Sequence, residues 1–343
     1  MKPRTTTYAL MLIVCAIVHL SLTAQDKPSL MDVLQQDDLA RIEVQADLSR
    51  LLADIQSEEW VPATVVIRSG AFQHTFQGKI RLRGRFRRMN CDFPPLKLKI
   101  PKSQLAAAGL EPEFNDFKIV THCLEDRYAG NELVLREYLV YRFYNELTPN
   151  SYRTQLARMT WVDQGADGKK IRRFGFLIED TDELAARMHG VEEEKFGLAT
   201  SRLSPNDTRL LMLFQELIGN DDWDLQMARN VKFIYVPEQD WYVPVPYDFD
   251  FSRFVAAPYA RPGAAPAHSE LHKSLQNGLY DSHVARYLLA KKQALAEIIT
   301  SNRYLPESEK ETLFLRLMAA YKRLEQKILT PAGNEQKSAA IVE

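Results

Sequence analysis

Cysteine is scarce in this 343-residue chain, with only Cys15, Cys91 and Cys123. That is too few for a disulfide-built scaffold, which a chain of this length does not need in order to bury a core. The histidines left after residue 24 are scattered, and only His268 and His272 come at a close spacing, in a loop that reads as solvated. Charge of one sign is also missing: 44 lysines and arginines face 45 acids, for a formal net charge of −1. No global pull toward nucleic acid follows from that balance. There is no internal repeat, no low-complexity domain and no glycine-rich phosphate loop, since Gly70 and Gly78 stand too far apart to form one. The one long apolar run lies at the very start of the chain.

That run extends from Tyr8 to about Leu22, follows Lys2 and Arg4, and ends in Leu22-Thr23-Ala24 before the polar Gln25-Asp26. A basic start, a short apolar centre and small residues before a polar step predict a signal peptide over residues 1–24. The run is short for a bilayer-spanning helix, which needs about 20 apolar residues, so no stable membrane span is expected after cleavage. Cleavage removes two bases and no acid, taking the formal charge from −1 to −3. The expected location is exported, either periplasmic or extracellular. In an oxidising compartment Cys91 and Cys123 are expected to pair as a disulfide.

Strand signals dominate residues 25–180. Ile42 to Ala46 alternates, and Asp47 then caps a short helical run. Dense β-branched stretches follow at Thr64–Arg68, His74–Arg85, Leu96–Ile100, Phe117–Thr121, Thr154–Val162 and Arg172–Ile178. Within them Lys79, Arg81, Arg83, Arg85 and Arg87 alternate along one face, with Arg88, Lys97 and Lys99 nearby. A guanidinium row fits phosphate or carboxylate, and equally fits a charged edge strand that resists aggregation. Aromatic residues interleave with this row only at Phe86 and Phe93, which argues against nucleic acid as its partner. A helix is expected from about Glu132 to Leu147, with Asn131 as its cap.

Helical signals take over in residues 181–330, ahead of a polar tail at 331–343. Ser204-Pro205 opens a helix whose stripe of Leu210, Phe214, Leu217 and Ile218 stops at Gly219. Beyond it the chain reads Gly219-Asn220-Asp221-Asp222-Trp223-Asp224, then Asn230, then an apolar hairpin from Val231 to Val245, then Tyr247-Asp248-Phe249-Asp250. An antiparallel hairpin returns to the edge it left, so Asn230, Asp248 and Asp250 are expected to converge. Oxygen donors without His or Cys nearby suit Mg²⁺ or Mn²⁺ rather than zinc. Ala256–Pro266 reads as a long loop beside this site, and amphipathic helices at about Ser282–Thr300 and Glu307–Leu329 close the chain.

Arg81-Leu82-Arg83-Gly84-Arg85, Leu96-Lys97-Leu98-Lys99, Phe176 to Asp180, Gly219-Asn220-x-Asp222 and Asp248-Phe249-Asp250 come in an order that resembles the spore-coat CotH kinase family. The resemblance implies a two-lobed, protein-kinase-like α+β fold, with a β-rich N-terminal lobe and a mainly helical C-terminal lobe. It implies Asp222 as the catalytic-loop acid, with Asp224 the alternative because Asp222 to Asn230 is longer than a kinase loop. Asn230 and Asp248 would hold metal, joined by Asp250. Lys97 would be the ATP lysine, paired with Glu137, with Arg83 and Arg85 gripping phosphates and Glu179 at the adenine hinge.

The expected function is Mg²⁺-dependent phosphoryl transfer from ATP or another nucleotide to a protein or small-molecule acceptor. Two rivals remain at this stage. One is an inactive module that holds an anionic partner through its arginines, and the other a glycosyltransferase that uses Asp248-x-Asp250 to bind a nucleotide-sugar diphosphate through a metal.

Overall fold

The computed structural model describes residues 27–36, 38–260, 275 and 278–329. The first part of the chain runs α1 (Leu30–Leu34), β1 (Ala40–Ala46), α2 (Leu48–Ala53), β2 (Val61–Ser69), β3 (Phe72–Leu82), α3 (Arg85–Asn90), β4 (Leu96–Lys99), α4 (Lys102–Ala107), β5 (Asp116–Val120) and α5 (Arg127–Leu147). Then come β6 (Thr154–Asp163), β7 (Lys169–Ile178), α6 (Thr181–Arg187), β8 (Val191–Glu192), α7 (Pro205–Ile218), β9 (Val231–Val236), β10 (Trp241–Pro246), α8 (His283–Ala290), α9 (Lys292–Thr300) and α10 (Glu307–Leu329). The expected leader at 1–24, His268 and His272, and the tail at 331–343 lie outside the described residues. No helix among the described residues is long and apolar enough to cross a membrane.

Seven strands close into a barrel in the order β1-β2-β3-β4-β5-β7-β6. The period of two works as the sequence implies: Ala40, Ile42, Val44 and Ala46 point inward on β1, and Val61, Ala63, Val65 and Ile67 do so on β2. Closure depends on β1, which pairs antiparallel with β2 and parallel with β6, from Ala40 opposite Ala157 to Ala46 opposite Asp163. A second sheet, β10-β9-β8, packs among the helices. The two-lobed kinase-like arrangement with a helical C-terminal lobe is therefore overturned by a closed mixed barrel, a small separate sheet and helices. Its physical cause is the parallel β1–β6 pairing, which closes the sheet of the β-rich half on itself.

Next to α5, the wall made by β5, β6 and β7 carries apolar residues on both faces. Ile119, Met159, Trp161 and Leu177 fill the barrel, while Val120, Leu156, Phe176 and Ile178 pack outward against α5, α7 and the second sheet. The helix expected from Glu132 begins earlier, at Arg127. Asp126 caps it by accepting from the Ala129 amide at 2.8 Å, and Asn131 instead accepts from the Phe174 amide.

The expected strand to Arg85 ends at Leu82, because Gly84 sits at φ +75° and turns the chain into α3. That turn breaks the arginine row. Lys79 and Arg81 stay on β3 over the Trp60 ring, Arg85 is exposed on α3, and Arg87 faces inward. Cys91 and Cys123 form a disulfide that ties the end of α3 to the segment before α5.

Candidate functional site

The β9–β10 hairpin does bring its two ends together. Val231 faces Pro246, and the Tyr247 amide donates to the Asn230 carbonyl at 3.0 Å. Asn230 and Asp248 both adopt left-handed backbone, at φ +52° and +63°. Asparagine and aspartate tolerate that region better than other side-chain-bearing residues, so the residue types fit the turn geometry as well as the chemistry.

α7 launches the other part of the site. Its buried stripe ends at Gly219 in left-handed conformation, and Asn220 then shapes the loop. The Asn220 side chain donates to Gln215 at 3.0 Å and accepts from the Asp222 amide at 3.1 Å, while its carbonyl accepts from the Trp223 indole. Asp222, half-buried, accepts from the Asn230 carboxamide at 2.9 Å and has Arg229 Nε 3.4 Å away. Burial raises its pKa, Arg229 opposes that shift, and Asp248 adds to it. Asp224 is buried and turned inward, accepting from the Met227 amide at 2.8 Å within a backbone bridge to Arg229. Of the two aspartates, Asp222 is the one that faces Asn230.

Behind Asp248 lies a knot of charge that strand reasoning missed. Arg87 spans Glu137, with two hydrogen bonds of 3.0 and 2.9 Å, and pairs with Asp248 as well. Its Nε lies 2.8 Å from Asp250, which is only 3% exposed. Three carboxylates thus share one guanidinium. Burial drives Glu137 and Asp250 toward their neutral forms, with Arg87 resisting in both cases. The Asp248 amide donates to the Tyr141 hydroxyl at 2.9 Å, which fixes this turn against α5. Asp250, expected at the metal, is a partner of Arg87 in this arrangement. Glu137 pairs with Arg87 and not with Lys97.

Lys97, expected as the nucleotide lysine, forms an ion pair with Asp116 at 2.8 Å. The lysine that lies nearer the site is Lys118 on β5. It donates to the Thr181 hydroxyl at 2.9 Å and stands over the rings of Tyr152 and Tyr247, at 4.8 and 5.8 Å. Burial first, then the charges of Arg83 and Lys232, lower its pKa to about 8. Lys97, Lys118, Asp180, Glu192 and Lys232 line a cleft of about 640 Å³. Arg83 forms no ion pair among the described residues, yet its charge reaches Lys118, Glu137 and Tyr247. Arg85 takes no part in this cluster. Glu179 is fully buried, and both its oxygens are taken by Arg153 and Arg187. It has no acceptor left for a base.

Nothing in the pattern around Lys118 separates it from Lys97 and Lys99, which also alternate with apolar residues. The available signal was position: Lys118 lies on the last strand before the long helix that carries Glu137. Arg87 was hidden because a strand period continued past Gly84 points it the wrong way.

Among the described residues no three acidic, histidine or cysteine side chains are arranged to hold a metal ion by themselves. The donor chemistry still fits Mg²⁺, which is commonly bound by one or two carboxylates with the remaining places taken by water and substrate phosphates. Asp248 and Asn230 supply such a partial set, beside three carboxylates that share one guanidinium. The chain matches no protein-family model and no curated protein.

Proposed function

We propose that the chain transfers a phosphoryl group from a nucleotide to a hydroxyl-bearing acceptor. The observation that carries this reading is the meeting of Asp222, Asn230 and Asp248 at the ends of one hairpin, beside a cleft of mixed charge that contains the buried Lys118. Asp222 accepts or orients the acceptor's proton, and its raised pKa suits that role. Lys118 and Arg83 hold phosphate oxygens where water is partly excluded, with Lys232 held alongside by Glu192 and Glu194. Asp248 and Asn230 would hold Mg²⁺ or Mn²⁺, which would neutralise charge on the phosphates. The motif order shared with CotH kinases supports the same chemistry through its aspartates, without extending to the overall architecture. The leader-like residues 1–24 and the Cys91–Cys123 disulfide support export, to a periplasm or the medium.

One observation favours a second reading. Arg87 already occupies the acid cluster, as a permanent cation would, and a chain that had lost its chemistry could keep Arg83, Arg85 and Lys118 to bind an anionic partner. The glycosyltransferase reading is disfavoured, since it needs both Asp248 and Asp250 at the metal and Asp250 is buried against Arg87.

Melting measured with Mg²⁺ alone, ATP alone and both separates these readings. A ligand at 100 times its Kd stabilises the fold by about 2.7 kcal/mol. The combined shift is expected to exceed the sum of the single shifts and to vanish in Asp248→Asn. Asp222→Asn should keep that shift and lower turnover by roughly 10²–10⁴-fold. If ATP stabilises equally well without metal, and Asp248→Asn changes nothing, the anion-binding module replaces the transferase.

A further inference from the structure

Away from the candidate site, the barrel wall formed by β2, β1, β6 and β7 presents a face of unpaired cations. Arg41 lies opposite Arg68 on one side and opposite Arg158 on the other, so three arginines stand side by side across three adjacent strands. Two residues along, Thr160 faces Arg172, and two further, Val162 faces Lys170, which keeps all of these positions on one face of the sheet. Arg127, at the start of α5, joins Lys170, Arg172 and Arg173 around an open cleft of about 350 Å³.

None of Arg41, Arg68, Arg127, Arg158, Lys170 and Arg172 forms an ion pair among the described residues. Glu43 is the acid within these rows, and its carboxylate accepts from Gln45 at 2.6 Å. Arg158 lies 3.8 Å from the Phe174 ring centre, and burial together with the nearby Arg127 holds its guanidinium below the usual arginine range. The repulsion is left unrelieved. A charged edge that resists aggregation accounts at most for Lys170 and Arg172, where β7 runs beyond its pairing with β5; Arg41, Arg68 and Arg158 lie on strand segments paired on both sides. Composition does not account for it either, since the chain as a whole is close to neutral.

We propose that this face binds a linear acidic polysaccharide carrying one carboxylate on each sugar. Adjacent strands stand about 4.8 Å apart, so the arginine row offers one guanidinium per step of about that length, comparable to the length of one sugar unit in an extended chain. Five of the six cations are arginines, whose planar fork matches a carboxylate through two parallel hydrogen bonds. The strand rows carry no exposed aromatic side chain and Arg127 has only the single exposed Tyr128 beside it, which is no series of rings on which successive bases could stack, and there is no large apolar wedge for a bilayer in these rows. The inference is independent of the phosphoryl-transfer reading.

The test uses the full chain with polygalacturonate as probe, dextran as the neutral control, and single-stranded DNA and anionic phospholipid vesicles as competing polyanions. Saturable binding to polygalacturonate, absent with dextran and weakening as salt is added, is expected. The triple variant Arg41→Gln/Arg158→Gln/Arg172→Gln should melt as the parent does and bind on the order of tenfold more weakly, which is about 1.4 kcal/mol. Unchanged affinity in that variant overturns the proposal, as does no binding to polygalacturonate at low salt. Equal or tighter binding to DNA or to vesicles also overturns it. If the triple variant unfolds, Arg172→Gln alone, at an exposed position, is used and must weaken binding measurably.

Discussion

Two buried charge clusters hold this molecule together, and they are built on opposite plans. In one, Asp32, Glu179 and Glu183 meet two arginines. Arg153 reaches Asp32 at 2.6 Å and Glu179 at 2.9 Å and also pairs with Glu183, while Arg187 takes Glu179 at 2.6 and 3.1 Å. In the other, Glu137, Asp248 and Asp250 meet Arg87 alone. The first joins α1, the start of β6, the end of β7 and α6, and Glu179 within it is closed to solvent. The second is reached from outside, because Asp248 is 33% exposed. Counting acids would rank the two alike. Neutralisation separates them, and access does not, since Asp32 in the first is 45% exposed: the cluster with two arginines serves the fold, and the one with a single arginine is suited to receive a further cation.

The comparison is broken most directly by swapping a carboxylate for an amide in each cluster. Glu179→Gln takes the central, fully buried partner from the half-buried Arg153 and Arg187, and removal of one member of a buried pair costs about 3–5 kcal/mol. Denaturant unfolding should show that loss, and Mg²⁺ should not restore it. Acidity gives the next largest effect. Burial raises the Glu183 carboxyl from 4.5 to about 7. A carboxyl raised in the folded state binds more protons folded than unfolded, so its contribution is full below about pH 4.5 and falls as pH rises toward 7, by up to roughly 3 kcal/mol. Glu183→Gln is expected to flatten that slope in a stability-versus-pH series, and an unchanged slope would locate the titrating group elsewhere. The smallest effect belongs to Asp248→Asn. It removes one of three mutually repelling carboxylates while Arg87 keeps two, so stability without ligand should change by no more than about 1 kcal/mol. A loss as large as that of Glu179→Gln would show that the two clusters do the same work.

Much of this was readable in the order of residues. Period-two alternation found β1, β2 and β4 to β7, and turn residues found the β9–β10 hairpin and hence the approach of Asn230 to Asp248. The expectation that Cys91 and Cys123 pair found their bridge. The misreadings share a cause, which is that partners distant in the chain leave no local mark. Ile42 to Ala46 looks the same whether its second neighbour is β6 or solvent. Lys97 and Lys118 sit in identical alternating patterns, and only tertiary packing gives one a surface acid and the other a pair of tyrosine rings. Glu179 was assigned to a ligand because its place at the strand exit resembled a hinge, whereas Arg153, just before β6, and Arg187 of α6 claim it.

The parallel seam between β1 and β6 also sets a timetable. β1 leaves synthesis early and cannot complete its pairing until β6 has followed it, along with all of the intervening strands and α5. Until then the flanks of β2 and β6 are open strand edges, the condition in which unpaired backbone recruits other chains. Ring closure is therefore a late, long-range event, the kind that makes folding slow at a given stability. Deleting the residues up to Ala46 would not trim a peripheral arm. It would leave the cylinder unzipped, with the arginine row cut through its middle.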